Sequence, residues 1–301
     1  MSLRRSPSLE SQRHRYVASA IPHIPESPPP EWRYRRALRV GSALRELARS
    51  RHIIVGLVIR QIRSQYSQQV LGLAWAVLAP LAQMFVFTFL LNRIGNSTFS
   101  TGGVPRPLFL YVGLTAWSFF SSSVSSAGSS LVGNPLLNKI YAPREVFPLS
   151  QVCSSGVDAL ASTALLPLLF LAAGRWPSST FYWIPLLIII LAIATVAFSL
   201  TVSAVTVYVR DLRSGLPLIL QLALFLTPIL YPISQIPAQF RTLTVTVNPI
   251  AGVVDGIRAC LFYNQAPDPT YTLLAAGSSL IYLIGGFLLF KRLETGFADV
   301  S

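Results

Sequence analysis

The sequence predicts an all-α integral membrane protein with six transmembrane helices and both termini in the cytoplasm. Three observations carry this prediction. First, 52% of the 301 residues are apolar and only 12% are charged, where a soluble domain has about a quarter charged; mean hydropathy is +0.55. Second, residues 64–92, 107–138, 176–209, 214–240 and 269–290 carry no formal charge, and 146–174 carry only Asp158. A spanning helix needs about 20 mostly apolar residues, and each stretch can supply one. Third, "IPLLIIILAIATVAF" (184–198) lacks the polar stripe that a surface helix of a soluble protein presents every turn.

Residues 1–43 come first. They are rich in Pro, Ser and Arg and show no apolar periodicity, which predicts a disordered basic tail. The tail has no apolar signal-peptide core. Beside a bilayer its charge suits anionic lipid better than nucleic acid.

Residues 44–67 follow as an amphipathic helix. Leu47, Ile54, Val58 and Ile62 recur at helical spacing, with Arg45, Glu46, Arg49, Arg60 and Arg63 elsewhere on the wheel. Such a helix is expected to lie in the membrane interface, its arginines reaching lipid phosphate.

The transmembrane region runs from 68 to 293, with spans expected at 69–91, 108–131, 149–173, 182–209, 215–233 and 271–290. The first two are aromatic, and Trp75, Phe85, Trp117 and Phe120 offer rings on which sugar faces can stack. Interface belts and lipid-facing filler account for such rings equally well. The small residues of "SFFSSSVSSAGSS" (118–130) favour close helix packing. Asp158 falls about ten residues into span three, where an ionisable group is a functional candidate and a hydrogen bond to a nearby Ser or Tyr is the competing account.

After span five, residues 233–263 are broken by Pro237, Arg241, Pro249, Asp255 and Arg258. Broken helices at membrane depth survive only when packed in protein or lining water. The segment therefore reads as a pair of re-entrant or interfacial helices at the outer face, and residues 294–301 as a cytoplasmic end.

Basic residues set the orientation. Thirteen of the 24 Lys and Arg precede residue 64, and Lys139, Arg144, Arg210, Arg213, Lys291 and Arg292 fall in alternate loops. Arg93, Arg106, Arg175, Arg241 and Arg258 remain for the outer side. This asymmetry places both termini inside.

Chemistry within this chain is disfavoured. His14, His23 and His52 lie outside the spans, and the eleven acids are scattered, so no acid–base pair is poised at the bilayer. Nothing suggests a cofactor or metal site. The chain carries no G-x-x-x-x-G-K-[ST] phosphate loop.

Several segments share an order found in one family. Arg60-x-x-Arg63-x-x-Tyr66, Leu71-Gly72-x-x-Trp75 and Pro80 resemble the approach to the first span of type-2 ABC permeases, closest to the exporters of polysaccharide and polyol-phosphate polymers (O-antigen, capsule, teichoic acid, galactan). "NPLLNKIYAPREVFPL" (134–149), "VRDLRSGLPLILQLALFLTPILYP" (209–232), "NPIAGVVDGIR" (248–258) and "FKRLETGFADV" (290–300) are similar to further segments of that family, in register. Ser64-Gln65 departs from the more basic run that relatives carry before the tyrosine.

The resemblance implies a non-enzymatic transport subunit of the bacterial plasma membrane. It would pair with a second copy of itself and with two copies of an ATPase subunit that binds the ATP. The substrate would be a polymer linked to a polyprenyl diphosphate. Arg60, Arg63 and Tyr66 would meet its anionic head, since arginine forks match phosphate; Trp75, Phe85, Trp117 and Phe120 would line the sugar path. Leu136, Leu137, Asn138, Lys139, Ile140, Tyr141, Pro143 and Arg144 would couple to the ATPase, as a short helix pinned by prolines. The alternatives are a type-2 ABC permease for drugs or lipids, or a membrane glycosyl- or acyltransferase.

Overall fold

The computed structural model describes residue 47 and residues 50–67, 72–93, 101–133, 143–176, 178–294 and 296–297. The expected tail, residues 1–43, and most of the expected coupling segment, residues 136–141, lie outside the described residues. Among the described residues every regular element is helical: α1 Arg51–Tyr66, α2 Ala74–Arg93, α3 Arg106–Ser129, α4 Val146–Thr163, α5 Leu166–Ala172, α6 Ile184–Tyr208, α7 Asp211–Leu226, α8 Ala238–Val247, α9 Pro249–Phe262 and α10 Pro269–Glu294.

Five segments are long and apolar enough to cross a membrane: Ala74–Arg93, Arg106–Ser129, Val146–Ala172, Ser179–Tyr208 and Pro269–Glu294. They correspond to expected spans one, two, three, four and six. Expected span five is shorter than 215–233: α7 has 16 residues, about 24 Å at helical rise. It stops because Thr227 turns to extended backbone and Pro228 cannot continue the ladder. The broken segment that follows consists of α8 and α9, bent by 110° at Asn248. Asn248 starts α9 by accepting from the Ile250 amide at 3.2 Å, with Pro249 at the first helical position.

The centre of the bundle is α3, with Leu108–Trp117, Phe120, Val124 and Ala127 buried. Helices α4 and α6 pack on it, and α10 packs along α6. The Ser-rich end of α3 also packs closely, with Ser123, Ala127 and Gly128 buried. Helix α4 breaks at Ala164–Leu165 because Pro167 opens α5. By contrast α2 buries only Pro80 and Met84; Phe85 and Phe89 are 63% and 65% exposed.

Candidate functional site

Helix α1 packs along α4. Ile54, Leu57, Val58 and Ile62 are half-buried, and Leu57 joins the cluster that contains Phe147. Further along, Gln61 and Gln151 are 3.5 Å apart, and Tyr66 donates its hydroxyl to Asp158 Oδ1 at 2.5 Å. Gln65 Nε2 reaches Asp158 Oδ2 at 3.4 Å. The contacts advance in the same direction on both helices, so α1 runs beside the first turns of α4.

The chain then turns into α2. Gly72, just before α2, has φ +47, the left-handed region that glycine reaches without strain. Ser162 Oγ donates to the Ala76 carbonyl at 2.6 Å, and Tyr111 donates to the Ser162 carbonyl at 2.8 Å. One turn of α4, Asp158 to Ser162, thereby ties together the end of α1, the start of α2 and the core helix α3.

On this junction Arg60 and Arg63 are exposed, three residues apart. Tyr66 is half-buried. Its hydroxyl proton is committed to Asp158, and burial, followed by that bond, raises its pKa above the usual 10.0. Asp158 therefore has the tyrosine partner that the sequence offered as the competing account. It sits beside the α1–α2 junction.

The four expected sugar-stacking rings are not brought together. Trp75 and Phe85 are exposed on α2, at 53% and 63%. Trp117 and Phe120 are buried, 5.3 Å apart by ring centroids, and Phe120 meets Phe198 edge-on at 5.5 Å. Hydropathy cannot separate these two fates, because lipid and protein core are equally apolar. A cavity of about 1000 Å³ opens between α3, α4, α5, α6 and α9, with Phe119, Val157, Leu160, Phe170, Ile188 and Leu261 among its lining. None of the seven expected substrate residues lines it.

Of the expected coupling residues, only Pro143 and Arg144 are described. Arg144 Nη1 donates to the Glu294 carbonyl at 3.0 Å, and its guanidinium lies 5.5 Å from the Phe297 ring centroid. Glu145, which follows it, is buried and pairs with Lys291.

Arg258, assigned by the charge count to the outer side, is not a surface charge: it is only 2% exposed. Its guanidinium donates to the carbonyls of Pro228 at 3.0 Å, Ile229 at 2.5 Å and Phe109 at 3.2 Å. It also stacks 3.6 Å from the Phe109 ring centroid. Asn248 Nδ2 donates to Thr227 Oγ1 at 2.6 Å on the same turn. Carbonyls freed by the α7 break need donors when buried; Arg258 supplies them to Pro228 and Ile229, while Asn248 holds the Thr227 hydroxyl. The signal available in the sequence was an arginine one turn after Asp255 in a helix otherwise free of charge.

Comparison with known proteins adds an independent line. The family model described as "ABC-2 type transporter" matches residues 54–262. An O-antigen export system permease protein, RfbA of Myxococcus xanthus, is 29% identical over 259 residues, covering 85% of this chain and 98% of the relative. RfbA of Klebsiella pneumoniae is 28% identical over 251 residues, covering 82% and 94%. The polysialic acid transport protein KpsM of Escherichia coli is 26% identical over 247 residues, covering 80% and 93%.

Proposed function

Because the chain belongs to the ABC-2 type transporter family, we propose that it is the permease subunit of an exporter for a lipid-linked polysaccharide or polyol-phosphate polymer, moved outward across the bacterial plasma membrane. Two copies form the conduit, and two copies of a separate ATPase subunit bind ATP and drive it. The observation that carries this reading is the extent of the similarity. It runs over 98% and 94% of two O-antigen export permeases and 93% of a polysialic acid transport protein, and the family match, residues 54–262, takes in Arg60 and Arg63.

Physical chemistry fits the substrate class. A polymer carried on a polyprenyl diphosphate presents an anionic head at the inner leaflet, and two exposed arginines one turn apart can meet it. Tyr66 supports that site by fixing the helix end to α4 through Asp158. The ATPase docks on residues 134–148, in which Pro143, Arg144 and Glu145 lead directly into span three at Val146.

The test is removal of the gene followed by analysis of the envelope. Surface polymer should disappear while lipid-linked polymer accumulates in the inner leaflet, and mass spectrometry of the purified transporter should detect bound lipid-linked glycan. Unchanged surface polymer, with a phospholipid or drug as the copurifying species, would instead identify a lipid or drug permease.

A further inference from the structure

Glu145 and Lys291 lie 146 positions apart in the chain, and the structure joins them. Glu145 is only 2% exposed, and its carboxylate pairs with the Lys291 ammonium. Lys291 also bridges Glu294 at 2.9 Å. Arg144 closes the other side by donating to the Glu294 carbonyl at 3.0 Å and lying over Phe297. Tyr208, the last residue of α6, donates to the Leu293 carbonyl at 2.7 Å and packs its ring on Phe297.

Beneath this polar layer is a small apolar cluster, separate from the main core. Leu131 and Phe147 meet Val207, Phe290 and Phe297 there. Leu131 precedes the expected coupling segment and Phe147 follows it. Both flanks of that segment are therefore seated on the ends of α6 and α10, which pack along each other. An ordinary positive-inside loop needs none of this. Burying a carboxylate is costly unless it is paired, and a topology signal requires only that the basic residues face the cytoplasm.

We propose that Arg144, Glu145 and Lys291 form a clamp that makes span six, together with span four, move with the coupling segment when the ATPase closes. Glu145 and Lys291 are positioning residues: they touch neither polymer nor nucleotide and act through α10. Closure of the ATPase is felt at the described flanks of the coupling segment. The flanking Leu131 and Phe147 pass the displacement to the α6–α10 pair, and the Glu145–Lys291 ion pair keeps that pair from slipping. The inference rests on the exporter reading above.

The experiment uses the full transporter with its ATPase, reconstituted in lipid vesicles, with Cys153 and Cys260 replaced. Single reporter cysteines are placed at Leu273 on α10 and at Phe89 on α2, which are 72% and 65% exposed. Maleimide labelling is followed with and without a non-hydrolysable ATP analogue, so no polymer is needed. In the parent the analogue should change labelling at both positions. In Lys291→Met and Glu145→Gln the change at Leu273 should fall at least fivefold while that at Phe89 and ATPase copurification persist. Lys291→Arg should restore it. A change at Leu273 that survives both variants overturns the clamp. Loss at both positions together with loss of the ATPase also overturns it, because the pair would then serve docking and not transmission. A parent that responds at neither position removes the exporter reading as well.

Discussion

Tyr66 and Asp158, 92 positions apart in the chain, share a 2.5 Å hydrogen bond that pins the end of α1 to the third span. Hydrogen bonds to charged groups contribute about 1.5–3 kcal/mol, and partial exposure puts this one toward the lower end. Tyr66→Phe should loosen α1 without unfolding the bundle. A cysteine at Ile62, half-buried on the packed face, should then label about five- to thirtyfold faster, as one to two kcal/mol implies. Asp158→Asn keeps an acceptor but loses the charge, and its rate should fall between the parent's and that of Tyr66→Phe. Because the raised Tyr66 pKa exceeds 10.0, the phenol stays protonated through neutral pH. The folded state would lose stability from this group only as pH rises past its ordinary value. Labelling at Ile62 unaffected by Tyr66→Phe would show that the bond does not hold the helix.

Arg258 supplies donors to three carbonyls, two of them in the turn that ends α7. Arg258→Met leaves the Pro228 and Ile229 carbonyls, outside any helical ladder, buried without that partner, at about 1–3 kcal/mol for each unsatisfied group; Phe109 keeps its place in the α3 ladder. The melting temperature in detergent should fall sharply, with Arg258→Lys intermediate because an ammonium cannot fork. Gly113 makes the room: a Cβ there would stand 2.5 Å from Arg258 Nη2 and 3.2 Å from the Ile229 carbonyl. Gly113→Val should therefore destabilise by expelling the same guanidinium. The double variant should be little worse than either single one, since both remove one interaction. Full additivity would mean that Gly113 acts through some other contact.

What the sequence revealed and what it concealed divide along the range of the interactions. Charge-free runs are a local property, so five spans and the broken α8–α9 pair were readable directly. The burial of Arg258 was not legible because its reason lies elsewhere, in carbonyls 29, 30 and 149 positions away. Span five was drawn too long because apolar residues continue past Thr227 although the backbone turns there. Asp158 was legible as an ionisable group within span three, but its partner was not: the Tyr66 hydroxyl comes from 92 positions away, at the α1–α2 junction. For Trp117 and Phe120, no sequence pattern distinguishes a ring facing lipid from one in the core.

Topology can be probed at positions that the fold leaves open. Trp176 is 85% exposed, and Gln239 and Ser214 are also exposed. Single cysteines at Trp176 and Gln239 should react with an impermeant maleimide from outside, and one at Ser214 only from inside. Gly102 is a poor reporter, because its φ is +60 and a Cβ would meet the Tyr263 ring at 2.7 Å. Outside labelling at Ser214 would invert or break the six-span order.

Arg60 and Arg63 remain the residues on which the substrate class depends most directly. They are exposed at the end of α1, a helix held in place by Tyr66 and Gln65 on Asp158. An anionic diphosphate leaving the inner leaflet beside the α1–α2 junction would meet two guanidinium forks one turn apart. Each charge-assisted bond is worth about 1.5–3 kcal/mol when formed, and screening at an exposed site reduces that. Replacing both with Gln should still lower export of the lipid-linked polymer tenfold or more. Dimer assembly and basal ATP hydrolysis should be retained, because neither residue packs in the core. Lys at both positions should restore only part of the rate, since a point charge lacks the bidentate geometry. The informative comparison is with lipid anchoring, which Lys supports as well as Arg does. Full rescue by Lys, or normal export by the double Gln variant, would reduce the pair to membrane anchors and move the search for the head-group site elsewhere.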